Sequence, residues 1–319
     1  MTRCCTPGRA ASATVAAVGD VTARRGEGRD RHRIEQVGIP AGTFLMGNAA
    51  PDEYSDPAET PEHEVRVAAF AMDATTVTNA DFRQFVEATG HVTDAERFGC
   101  SAVFHLAVAA SRRDLLGSPA RTPWWLSVAG ADWRHPGGRH STIEALDEHP
   151  VVHVSWQDAI AYCRWAGRQL PSEAQWERAA RGGRTRARYP WGDEAPDQDG
   201  QWRCNIWQGR FPEVNTAEDG WRTTAPVRTY APNDFGLWQM VGNVWEWCHD
   251  HFDEHYYARA PHDQPAGPAT GELRALRGGS WLCHDSYCNR YRNAARIGNT
   301  PDSSSANMGF RTVADPARG

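Results

Sequence analysis

The sequence predicts a single α+β domain with little regular secondary structure, and three observations predict it. Fourteen tryptophans stand among 29 glycines and 20 prolines in 319 residues, a composition that packs aromatic rings between irregular loops rather than a repeating sheet or bundle. Three short segments carry the start and stop signals of helices. From about residue 184 to residue 315, by contrast, no helix of more than two turns is visible. A stretch of that length inside a compact domain needs another source of order: metal ions, buried aromatics or salt bridges. The composition also excludes whole classes. With 40% hydrophobic and 23% charged residues the chain is not globally disordered, and no apolar run approaches the roughly 20 residues of a membrane-spanning helix. A net charge of -6 without a basic stripe argues against a nucleic-acid partner. All 34 basic residues are arginine, the side chain suited to buried, two-pronged ion pairs.

In chain order, residues 1–33 are small, polar and Arg-rich, and are expected to form a disordered leader. Ser12 and Thr14 dilute the run from Ala10 to Val18, and Arg24-Arg25 has no hydrophobic segment after it. Neither kind of export signal is met, and a cytoplasmic location is expected. Folding should begin near Ile34, where IEQVGIPAGTFLMG reads strand–turn–strand with Gly38, Pro40 and Gly42 in the turns. The first helix opens at Thr78-Asn-Ala-Asp81, carries Phe82, Phe85 and Val86 at helical spacing, and stops at Gly90. The second opens at Ser155-Trp-Gln-Asp158, sets Ala159, Ile160, Cys163 and Ala166 on one side, and ends at Gly167. The third opens at Pro171-Ser172-Glu-Ala-Gln175 and turns Trp176 and Ala180 inward before Gly182-Gly183. In each, the first hydroxyl satisfies a free helix amide while the fourth side chain reaches back. No repeat or charge break divides the chain, so one domain is expected over 34–319.

Three constellations could carry chemistry. Asn205-Ile206, Glu218-Asp219-Gly220-Trp221 and the run Gln239 to Glu246 (QMVGNVWE) offer carboxylate, amide and backbone oxygens, the ligands calcium takes. The same residues make ordinary turns, and no EF-hand spacing is present. His249, Asp250, His251, Asp253 and His255 crowd into CHDHFDEHYY without the HExxH arrangement, and read as a solvated polar segment. The third is RGGSWLCHDSYCNRYR, residues 277–292. The eight cysteines include no CxxC pair, and Cys283 and Cys288 are the sharpest local couple. They meet only if the segment bends, which Gly278-Gly279 makes easier. On spacing alone a disulfide comes first. A two-thiolate site for copper(I) comes second, with Arg277, Arg290 and Arg292 expected to hold the thiols deprotonated. Two plain buried thiols also remain open.

GGSWLCHDSYCNRYRNAAR, followed by NTPDSSSANMGFR, closely resembles the end of the formylglycine-generating enzymes, the sulfatase-modifying factors. The likeness includes IPAGTFLMG, TPWWLSVAGADWRHP, HPVVHVSWQDAIAYCRWAG, LPSEAQWERAARGG, YPWGDE, CNIWQGRFPEVNTAEDGW and GLWQMVGNVWEW, and covers roughly residues 34–315. LPSEAQWERAARGG and GNVWEW belong to the whole superfamily, so the Cys283–Cys288 segment is the discriminating one. The resemblance implies a fold of low regular secondary structure related to C-type lectins, with bound calcium. It implies oxidation of the cysteine in a Cys-x-Pro-x-Arg motif of a partly unfolded sulfatase to Cα-formylglycine, by molecular oxygen with an external thiol reductant. Cys283 and Cys288 match the catalytic pair that holds copper(I). Ser280 and Tyr287 match the residues beside it, and Trp245, Asn307 and Ser101 match the substrate cleft. One calcium carries over to Asn205, Ile206, Asp219 and Trp221, a second to Gln239, Gly242, Val244 and Glu246. Ile206, Trp221, Gly242 and Val244 would serve through backbone carbonyls.

Two departures from the family pattern stand out. Cys100 occupies a position where many relatives carry an aspartate near the cleft. Thr312 stands where relatives often have cysteine, which leaves Cys163 as an expected free buried thiol. A monomer is expected. The alternatives are a non-catalytic ligand-display module of the same superfamily, which has no need for both cysteines, and an iron-dependent sulfoxide synthase. The latter requires a helical domain with a histidine triad, and none is visible ahead of Ile34.

Overall fold

The computed structural model describes residues 6–8, 32–49, 51 and 55–314. Most of the expected leader, residues 1–5 and 9–31, lies outside them. Its described pieces are packed: Thr6 is buried, and the His32 imidazole lies 2.7 Å from Asp73 Oδ1 and 3.1 Å from the Tyr162 hydroxyl.

The chain begins with β1 (Gln36–Ile39), β2 (Gly42–Met46), β3 (His63–Val67) and β4 (Phe70–Asp73), then α1 (Asn79–Thr89) and α2 (Asp94–Phe98). There follow β5 (Cys100–Phe104), β6 (Leu115–Gly117), β7 (Trp125–Ala129), α3 (Trp156–Ala166) and α4 (Glu173–Ala180). The last part holds β8 (Gly209–Arg210), β9 (Val214–Asn215), β10 (Trp245–His251), β11 (Arg274–Arg277), β12 (Arg296–Asn299), β13 (Met308–Gly309) and β14 (Val313–Ala314). The three long helices start where their caps placed them. Thr78, Ser155 and Ser172 each accept an amide of the first turn, and Gly90 and Gly167 end α1 and α3 in the left-handed conformation. The same signature, Thr93 with Glu96 and then Gly99, caps α2, which five residues make too short to show helical periodicity.

The strand–turn–strand at Ile34 exists but is no hairpin: β1 pairs with β4, and β2 with β3. A two-residue hairpin turn needs positive φ at its first central position or both, and Pro40 cannot supply it. The largest sheet has the order β12–β11–β10–β13, with β10 antiparallel to β11 and parallel to β13. Sequence reasoning gave this region no strands. In β10 the first four residues, Trp245 to Cys248, are all buried, so no alternation betrays the strand.

Buried ion pairs supply much of the missing order. α4 turns Glu173 and Glu177 inward against β11 and β12. Arg277 reaches Glu177 at 2.5 Å and Glu173 at 3.1 Å, Arg296 reaches Glu173 at 2.7 Å, and Arg181 reaches Glu177 at 2.7 Å. Burial alone would push both carboxyls up. The guanidiniums outweigh it and hold Glu173 and Glu177 below the ordinary glutamate value. Arginine suits this because its planar fork meets both oxygens of a carboxylate.

Candidate active site

At the end of β11 the chain turns sharply through Gly278 (φ 94°) and Gly279 (φ 75°). A Cβ at Gly278 would lie 2.8 Å from the Met240 carbonyl oxygen, and one at Gly279 would lie 2.7 Å from that of Arg290, so only glycine fits. Beyond them the Cys283 amide donates to Ser280 O at 2.9 Å. The His284 carbonyl accepts from the amides of Tyr287, Cys288 and Asn289. This is the bend that two thiols five residues apart require. Both are buried, Cys283 at 1% and Cys288 at 7% exposure. No disulfide links two of the described cysteines. The Ser280 amide donates to Cys283 Sγ at 3.4 Å.

The expected companions lie close behind. Ser280 Oγ accepts from Asn307 Nδ2 at 2.9 Å, and Asn307 O accepts from the Trp245 amide at 2.8 Å. The Tyr287 ring stacks on Phe211 at 4.2 Å and meets Trp124 edge-on at 5.3 Å, which fixes its phenol. Ser101 sits on β5, at a cavity also lined by Cys100, Trp125, Ser127 and Ser304. Trp125 shares an aromatic cluster with Trp281 and Leu282, the two residues before Cys283.

Ser101 reveals a residue the sequence reading missed. Its hydroxyl lies 2.8 Å from His153 Nδ1 and 2.7 Å from Ser304 Oγ, while His153 Nε2 lies 2.8 Å from Pro136 O. Only a protonated Nε2 can donate to that carbonyl, so Nδ1 accepts from Ser101. Burial pushes the His153 imidazole down to about 4, which keeps it neutral and in this role. Its signal lay in HPVVHVSW, but nothing local ties it to Ser101, 52 residues away.

Two expectations need correction. Arg277, Arg290 and Arg292 pair with carboxylates: Arg277 as above, Arg290 with Asp56 at 2.8 Å and Arg292 with Glu59 at 2.6 Å. A carboxylate fork is the stronger guanidinium partner, so these charges are already matched rather than reserved for the thiols. The His249–His255 segment is not solvated throughout. Asp250 is buried, accepts the Glu173 amide, and is pushed well up by burial and by the Glu173 charge. Among the described residues no three His, Cys, Asp or Glu side chains converge on a common point. Cys163, inside α3, is a free buried thiol, and Thr312 donates its hydroxyl to Asp73 at 2.6 Å.

A family model described as the sulfatase-modifying factor enzyme 1-like domain matches residues 24–316. The chain belongs to the sulfatase-modifying factor family. It is similar to the formylglycine-generating enzyme of Streptomyces coelicolor, with 62% identity over 90% of this chain and 91% of that protein. It is also similar to the inactive C-alpha-formylglycine-generating enzyme 2 of Mus musculus, with 44% identity over 88% of this chain and 86% of that one. Among solved structures, PvdO from Pseudomonas aeruginosa superposes with a TM-score of 0.64 at 25% identity, covering 87% of this chain and 93% of that one.

The two oxygen-rich sets of this sulfatase-modifying factor differ in how well they suit a cation. In the first, Asn205 Oδ1 is buried without a hydrogen-bond partner among the described residues. Burial pushes the Asp219 carboxyl up despite bonds from the Trp221 amide and the Tyr230 hydroxyl. The carbonyl of Ile206 accepts the Gln208 amide. In the second, Gln239 Oε1 is similarly orphaned. Glu246, however, accepts Arg311 on both oxygens and Trp176 Nε1 at 2.8 Å, so its charge is already matched. Val244 and Gly242 are neighbours of that pair, and a Cβ at Gly242 would lie 2.6 Å from Asn205 O. Both loops bond to the backbone of the segment that carries the thiols: Trp207 N donates to Cys283 O at 3.0 Å, and Gly242 N to Gly278 O at 2.9 Å.

Proposed function

We propose that this chain is an enzyme that converts the cysteine of a Cys-x-Pro-x-Arg segment in a sulfatase polypeptide to Cα-formylglycine. Molecular oxygen is the oxidant and an external thiol the reductant. The observation that carries this reading is the buried pair Cys283 and Cys288 on a glycine-hinged turn, whose preceding residues pack against the wall of the Ser101 cavity. Copper(I), which soft thiolates select, would be held by that pair and would supply the oxygen chemistry when bound.

The chain's own residues do the rest. Ser280 offers an amide to Cys283 Sγ and a hydroxyl fixed by Asn307, so the thiol is oriented before any metal arrives. Tyr287, clamped between rings, holds a phenol beside Cys288. Ser101, locked by His153, offers a defined polar wall to an extended peptide. Calcium at Asn205, Ile206, Asp219 and Trp221 would neutralise the under-compensated Asp219 and brace the Trp207–Cys283 contact. The second set is the weaker candidate because Arg311 already neutralises Glu246.

The test supplies copper, thiol and air to the protein with a Cys-x-Pro-x-Arg peptide and looks for thiol-to-aldehyde conversion by mass spectrometry. Cys283→Ala and Cys288→Ala should each abolish conversion with an unchanged circular-dichroism spectrum. Near-normal conversion by either variant would refute the assignment and favour a display scaffold.

A further inference from the structure

Cys5-Thr6-Pro7-Gly8-Arg9 spells Cys-x-Pro-x-Arg, and the pattern occurs once in the sequence. Cysteine accounts for only 8 of 319 residues, so the match is an uncommon one for this composition. The structure adds a second, independent observation. Thr6 is 2% exposed although more than twenty residues separate it from the first strand. The Asn299 amide donates to the Thr6 hydroxyl at 3.2 Å and to the Pro7 carbonyl at 3.4 Å. Pro7 and Gly8 line one cavity together with Cys100, Ser101, Trp125 and Ser304. Its Ser101 wall is the one that the function proposed above gives to the substrate peptide. Asn299 also touches Met308, whose neighbour Asn307 holds Ser280 against Cys283.

We infer that residues 5–9 are a substrate sequence built into the chain, that its Thr6-Pro7-Gly8 part occupies the chain's own cleft, and that Cys5 is a site of the same modification. The inference rests on the function proposed above. The step balances as follows. The Cys5 CH2SH group, one dioxygen molecule and two external thiols give a CHO group, hydrogen sulfide, water and one external disulfide. The side chain gives up two electrons and the thiols two, and together they reduce dioxygen to the oxidation level of water. One C–S bond and one C–H bond of the side chain are replaced by one C=O bond, and the sulfur leaves as hydrogen sulfide. The carbon loses sulfur and one hydrogen and gains oxygen. While it is docked, the segment competes with any incoming sulfatase, because a tethered ligand acts at a local concentration on the order of mM.

Two measurements on the full chain test this. In the first, the protein receives copper(I), an excess of thiol and air together with a free Cys-x-Pro-x-Arg peptide, and both are followed by mass spectrometry. The expected result is loss of sulfur at Cys5 as well as in the peptide, at a Cys5 rate independent of protein concentration. Conversion of the peptide with an unaltered Cys5 overturns the inference and leaves the proposed function standing. If neither is converted, both fall. The second needs no metal: a fluorescent Cys-x-Pro-x-Arg peptide is titrated into the metal-free chain and into a Pro7→Ala, Arg9→Ala double variant. Removing the resident competitor should tighten peptide binding by at least about tenfold. Equal affinity for the two chains overturns the docking, and with it the inference.

Discussion

The ion-paired layer under α4 and the oxygen-rich loops behind the thiols solve burial of charge in opposite ways. Under α4, Glu173 and Glu177 meet guanidiniums at 2.5 to 3.1 Å, and their charges are matched within the protein. In the loops, burial pushes Asp219 up, and Asn205 and Gln239 leave buried oxygens without partners among the described residues. The first arrangement is finished by folding; for the Asn205–Asp219 set of the second, we propose that a cation finishes it. Regions that a sequence shows equally rich in charge therefore differ in what they depend on.

The contrast breaks most readily at Arg277. Replacing it by alanine leaves Glu173 with Arg296 alone and Glu177 with Arg181 alone in the interior, and removing one partner of a buried pair typically costs about 3–5 kcal/mol. Urea unfolding should register that loss equally with and without calcium. A loss that calcium repairs would mean the layer is not self-contained. In the loops the order reverses. Calcium at a hundred times its dissociation constant should add about 2.7 kcal/mol, chelation should remove it, and Asp219→Ala should abolish the difference. A melting curve indifferent to chelator would reduce the first set to plain turns.

A smaller effect belongs to His153. Its folded pKa, about 4, lies below the ordinary histidine value of 6.5, so between those pH values the unfolded chain binds the proton that the folded one refuses. Stability is whole above pH 6.5 and falls as pH drops towards 4, by on the order of 3 kcal/mol. His153→Asn should lose this part of the pH dependence. A variant whose stability still tracks the wild type across that window would show that the imidazole is not held neutral by burial.

What was legible in the sequence was local. Capping boxes and glycine stops located α1, α3 and α4 to within a residue, because their signal lies inside four neighbouring positions. The all-arginine composition announced buried ion pairs without naming partners. Arg277 meets Glu173 across 104 residues, and no spacing rule reaches that far. The same distance explains why Arg290 and Arg292 were misjudged: Asp56 and Glu59, which match them, lie more than 230 positions upstream. β10 escaped notice because Trp245–Cys248 is buried on both faces. The thiol pair stood out by its spacing, the Ser280, Asn307 and Tyr287 positions were reached through likeness to a family, and the His153–Ser101–Ser304 chain was not reached at all.

Every cationic side chain of the interior layer is a guanidinium, and the sequence contains no lysine. Primary amines condense with aldehydes to imines, whereas a guanidinium stays protonated and has no lone pair to attack with. A catalyst that releases a reactive carbonyl next to its own walls thus offers that carbonyl no side-chain amine to be caught by. Arginine here holds the protein together and, by the same chemistry, lets the product go.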